Sequence, residues 1–152
     1  MRRARVIVLV VVGVALFLVI SALLARVLSV GGAEDSAITA LVRAEARGDR
    51  AAVQAAITGC ARRPACQARA ASVAATLKRA GTVQIVQIQP SAGFSLGATT
   101  GTARVVWLAG GSLPRVQCVR VRRAGGVLAG YRVQLLEVSA RIRTNADCPA
   151  HY

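Results

Sequence analysis

The sequence is short of the side chains on which most catalysis depends. It holds one histidine, one lysine and six acidic residues, and aromatic residues make up only 3% of it. General acid–base chemistry wants a histidine or carboxylate of tuned pKa in a cleft. Here the histidine is His151, beside the C-terminus, and the acids are Glu34, Asp35, Glu45, Asp49, Glu137 and Asp147. No nucleophile elbow or phosphate-binding loop occurs. The four cysteines have no C-x-x-C spacing, and the one histidine, His151, is a penultimate residue of the tail, so no zinc site and no other cofactor is expected. Aromatics are too few, and too far from the arginines, to make a stacking platform, and no nucleic-acid partner is expected.

Apolar residues and arginine are in excess. Val6–Leu24 is apolar apart from Ser21. At about 1.5 Å per residue such a helix spans about 29 Å, the thickness of a bilayer's hydrocarbon core. Arg2, Arg3 and Arg5 precede the run and Arg26 follows it. Positive charge stays on the cytoplasmic side, which sends the remainder across, while Arg26 snorkels to the outer headgroups. The expected organisation is a basic end and single-pass anchor over residues 1–28 and a linker over 29–33, loosened by Gly31 and Gly32. An extracytoplasmic domain over 34–148 and a tail over 149–152 follow. A cleaved signal peptide is the competing reading, with Gly31-Gly32-Ala33 as the cleavage site, but the apolar run is longer than such peptides use. No cysteine follows the run as in a lipoprotein, and no acidic residue marks it as a pilin leader.

Four cysteines in an exported domain read as a disulfide framework with three possible connectivities. Cys60 and Cys66 bracket a short turn, Ala61–Ala65, so local pairing is preferred, and Cys118 with Cys148 then follows by elimination. The formal charge is +14, of which the four arginines flanking the anchor account for four. The basic domain favours an anionic partner such as lipid headgroups or a wall polymer. An envelope protein is a further candidate partner.

Beyond the anchor the apolar spacing is first helical. Ile38, Leu41 and Val42 mark one face up to Arg47, Gly48 breaks the helix, and Asp49 is a natural N-cap for a second helix carrying Val53, Ala56 and Ile57. Pro64 suits the first turn of a third helix, with Ala70, Val73, Ala74 and Leu77 inward and Gly81 as its stop. Alternation then takes over. Strands are expected at Val83–Gln89, Thr99–Ala109, Leu113–Arg123 and Val127–Ser139, with turns at Gly110-Gly111-Ser112 and Ala124-Gly125-Gly126. Helices followed by a strand meander imply an α+β fold, three helices on one face of a curved, mainly antiparallel four-stranded sheet.

This order, with the stretch ARGDRAAVQAAI and its Gly48-Asp49 turn between two helices, resembles the nuclear transport factor 2-like (SnoaL-like) cone over Glu34 to Ser139. It is similar in particular to the membrane-anchored, secreted versions of high-GC Gram-positive bacteria. The resemblance implies a cone-like fold with a pocket between helices and sheet, in a family that includes enzymes, ligand binders and scaffold subunits.

If the hairpins pair around their glycine turns, Trp107 lies opposite Arg115 and Val119 opposite Tyr131. Trp107, Arg115, Gln117, Tyr131 and Glu137 then share the helix-facing side and are the pocket candidates, with Arg115 over Trp107 as a cation–π pair neutralised by Glu137. Arg104, Arg120, Arg122 and Arg132 fall on the opposite face as an anion-attracting surface. No catalytic residue is assigned. The expected function is a non-enzymatic, membrane-tethered interaction or ligand-binding module. The alternatives are a scaffold subunit of an envelope transport or secretion complex, and an isomerase-like enzyme using Glu137.

Overall fold

The computed structural model describes residues 2–90, 99–126, 130–143 and 146–149. Its first helix, α1, runs from Arg2 to Arg47. Within it Val6–Ala25 is apolar and long enough to cross a bilayer, and nothing among the described residues buries it. The linker expected at residues 29–33 lies inside this helix, so no break separates the apolar segment from the domain. Gly31 and Gly32 disfavour helix by about 1 kcal/mol each relative to alanine, too little to end a helix that is propagating and docked further on. Docking begins at Glu34 and continues through Ile38, Leu41, Val42 and Glu45, all buried. These positions recur at three and four residues, one stripe of a 3.6-residue helix.

Gly48, in the left-handed region at φ +72°, ends α1; a side chain there would run into Lys78. The Asp49 carboxylate then accepts a hydrogen bond from Ala52 N at 2.9 Å and caps α2, Arg50–Ala56. A short 3-10 turn, Cys60–Arg62, leads to α3, Pro64–Leu77, whose buried face is Ala70, Val73, Ala74 and Leu77, as the spacing requires. Gly81 is not the cap of α3. It sits at φ +98° against the turn between the second and third strands, where a Cβ would come within 2.7 Å of Gly110 Cα.

Four antiparallel strands in sequential order form one open sheet: β1 Val83–Gln89, β2 Thr99–Ala109, β3 Arg115–Gly126 and β4 Gly130–Val138. The fold is α+β, and helices and one sheet face share a core that includes Ile38, Leu41, Val73, Leu77, Val105, Trp107 and Val119. Burying each of the larger aliphatics stabilises the fold by about 1.5–3 kcal/mol.

The last hairpin departs from expectation. Ala124, Gly125 and Gly126 are not a turn but the end of β3, paired with Arg132, Tyr131 and Gly130. β3 therefore ends three residues later than expected, having begun at Arg115 and not Leu113, β4 starts only at Gly130, and Val119 pairs with Val138 instead of Tyr131. Both expected disulfides are present, Cys60–Cys66 and Cys118–Cys148, with Cα separations of 5.3 and 5.7 Å. After β4 the chain continues along β3, with Ser139 N donating to Cys118 O and Ile142 N to Val116 O. The second disulfide then returns the tail over the outer sheet face, where Val116 and Cys118 are buried.

The direction of α1 against the sheet follows from its two ends. Glu34 meets Arg123, near the end of β3, at 2.6 Å. At the other end Ala46 O accepts from Arg79 N, beside Gly81 and the β2–β3 turn. The end of the sheet formed by Gly126 and Gly130 thus faces the apolar segment, and the Gly110–Gly111 turn faces away from it.

Candidate functional site

The residues expected to line one pocket are divided among three places. Trp107 and Gln117 are together, as expected, but in solid core. Trp107 Nε1 donates to Gln117 Oε1 at 2.8 Å, and Gln117 Nε2 donates to Ser139 O at 3.3 Å. Both side chains are fully buried. Ser139 completes the network, its Oγ accepting from Cys118 N and donating to Ala140 O. This polar chain satisfies the indole N–H that burial would otherwise strand.

Arg115 does pair across the sheet with Trp107. Its Nε, however, is shut from water without an acceptor, and its guanidinium pKa is lowered by burial and by the charges of Arg79 and Arg141. Glu137 does not neutralise it. A β-bulge between Arg120 and Val121 takes Leu136 out of register, so that Leu135 pairs with Val121 but Glu137 with Arg120. The extra residue reverses the alternation, and Glu137 leaves the Trp107 side. The Tyr131 side chain lies outside the described residues.

Glu137 instead belongs to a groove between the α3 entry and the edge strand β4. Its carboxylate stands 3.8 Å from Arg63 and 3.5 Å from Arg120. Arg63 is fixed by its own donations to Thr58 O at 2.8 Å and Leu136 O at 2.9 Å, which also cap part of the β4 edge. The groove has a volume of about 440 Å³ and is lined by Ile57, Arg62, Arg63, Pro64, Ala65, Cys66, Arg69, Glu137 and Val138. With Glu137 engaged by two arginines, Arg62 and Arg69 leave the groove net positive, on a rim held by the Cys60–Cys66 bridge. Such a site suits a carboxylate or phosphate.

The strand register places the four arginines of the expected anion-attracting surface on one side of the sheet. Arg120 and Arg122 face outward opposite Thr102 and Thr100, Arg104 lies opposite Cys118, and Arg132 lies opposite Ala124. Its middle, at Val116 and Cys118, is buried beneath the tail, and Arg120 is tied to Glu137. Arg122 and Arg132 remain exposed, with no acidic partner among the described residues.

Two buried carboxylates on α1 complete the inventory. Glu34 is fully buried and paired with Arg123. Glu45 is also fully buried, and neither carboxylate oxygen has a hydrogen-bond partner. Burial pushes its pKa up to about 8, against a smaller lowering influence of the Gln117 amide, so it carries a proton at neutral pH. The signal for both lay in the sequence. Residues 34, 38, 41, 42 and 45 form one helical stripe, so the apolar spacing that buries Ile38 and Leu41 buries the two glutamates as well. Among the described residues no cluster of side chains suits a metal ion. No family model, curated protein or solved structure matches the chain.

Proposed function

We propose that this protein is a non-enzymatic module outside the cytoplasm, held by a single membrane-spanning helix with its N-terminus inside, which presents a rigidly oriented binding surface to an anionic partner in the envelope. The observation that carries this reading is the unbroken helix from Arg2 to Arg47, whose first half is apolar and uncovered and whose second half is the centre of the domain. The two disulfides support an oxidising compartment, and the arginines before the helix support the orientation. The binding surface is the groove at Arg62, Arg69 and Glu137. The isomerase-like reading loses its support, because Glu137 lies with Arg63 and Arg120 and away from Trp107. We further propose that the domain is a nuclear transport factor 2-like cone, a reading supported by the helix and strand order and by the open antiparallel sheet.

The test is made in cells. The full chain should stay in membranes after an alkaline wash, and protease added to spheroplasts should reach the domain. Crosslinking should capture an envelope component that the double variant Arg62→Glu/Arg69→Glu no longer captures. Release by alkali, or capture that ignores the charge reversal, overturns the reading.

A further inference from the structure

We propose that the anchor-proximal end of the outer sheet face, at Arg122 and Arg132, docks on the anionic lipid headgroups of the same bilayer that holds α1. This rests on the membrane-spanning reading of α1 and adds a second contact to it. With a flexible linker the domain would sample all orientations, but the helix is continuous through residues 29–33, so the height of each residue above the bilayer follows from the helical rise.

Ala25 ends the apolar segment and Glu34 stands nine residues on. At the helical rise this is about 14 Å along the axis, and a tilted helix brings it lower. Glu34 grips Arg123 at 2.6 Å, which fixes that level on β3. The strands run from there towards the bilayer. Arg122 precedes Arg123 and stands one strand step farther from the bilayer, coming within reach as the helix tilts, while Arg132 pairs with Ala124, one residue nearer the membrane than Arg123. Subtracting one strand step of about 3.3 Å puts the Arg132 backbone about 10 Å above the hydrocarbon edge. Headgroups fill the first 5–8 Å or so of that distance, which leaves a gap that an arginine side chain spans. Both arginines are exposed and have no acidic partner among the described residues. Guanidinium forks match phosphate oxygens in pairs.

The experiment uses the full chain in nanodiscs of phosphatidylcholine alone or mixed with phosphatidylglycerol, with a trace of gadolinium-chelating lipid. In the mixed discs the guanidinium N–H signals of Arg122 and Arg132 should broaden, while Arg47, about 33 Å from Ala25 along α1, keeps its line width. Each of R122Q and R132Q, made on the exposed surface, should reduce the docked-to-undocked ratio by about fivefold. Equal broadening in both disc types, or broadening at Arg47 as well, overturns the proposal. So does a shift produced by soluble polyglycerol phosphate but not by the lipid, which would assign the arginines to a wall polymer. A chain that leaves the discs under alkaline wash would show instead that the anchor reading itself is wrong, and docking would fall with it.

Discussion

At the scale of single residues, the two buried glutamates of α1 make opposite predictions. The Glu45 pKa rises from 4.5 to about 8 on folding, so between these values the folded state holds a proton that the unfolded chain has released. Stability should therefore be highest below the lower value and fall as pH rises to the upper one, at up to about 1.4 kcal/mol per pH unit. Glu45→Gln removes this dependence. Domain melting in detergent micelles, followed from pH 5 to pH 8, should be flatter in the variant; parallel curves would assign the titration elsewhere. Glu34 is buried with a partner. Arg123→Met takes away the guanidinium that meets its carboxylate at 2.6 Å and should cost about 3–5 kcal/mol, whereas the double variant Glu34→Leu/Arg123→Met should recover most of the loss, because replacing a buried pair is far cheaper than halving it. Denaturant midpoints of the three proteins check this. The sequence made both glutamates readable through their place on the apolar stripe. Glu137 was not readable in this way, since a single bulge residue, Leu136, reverses the alternation that placed it.

At the scale of elements, most of the chain follows local chemistry. The Asp49 cap, the Pro64 start of α3 and the full extents of β1 and β2 lie where capping, proline geometry and alternation put them. Two glycine pairs mislead for one reason: glycine permits a break without requiring it. Gly125-Gly126 is pulled into the ladder by pairing with Tyr131 and Gly130. Gly31-Gly32 is carried through by a helix that continues on both sides of it. The continuity of α1 can be broken deliberately. Gly32 has open space around the position of a Cβ, so Gly32→Ala should be accepted and strengthen the helix by about 1 kcal/mol. Gly32→Pro should cost about 3 kcal/mol locally and interrupt the helix while leaving the domain core folded. Fluorescence anisotropy of a dye on the domain, in nanodiscs, should show slow tumbling with the disc for glycine and alanine. The proline variant should add fast independent motion.

At the scale of the whole molecule, topology and covalent structure are linked. The Cys118–Cys148 bridge spans 30 residues of sequence and Cys60–Cys66 spans 6. In the chain-entropy model the former stabilises by about 3–4 kcal/mol and the latter by about 2 kcal/mol. The longer bridge also keeps the tail over Val116 and Cys118, so its loss exposes an apolar part of the outer face. A domain of this size has little stability to spare, and it should depend on the longer bridge most. On the proposed orientation, α1 inserts with Arg2, Arg3 and Arg5 inside and so brings the cysteines to an oxidising compartment. Replacing these three by glutamine leaves Arg26 as the main charge beside the apolar run and should turn a fraction of chains around. Inverted chains would hold the domain in a reducing cytoplasm, with its four cysteines as free thiols. Labelling denatured whole-cell protein with a maleimide polymer separates the two populations on a gel. The native chain should take up no label, and the inverted fraction should shift by four additions. If the native chain itself is labelled in full, its domain faces the cytoplasm, and the proposed orientation is wrong.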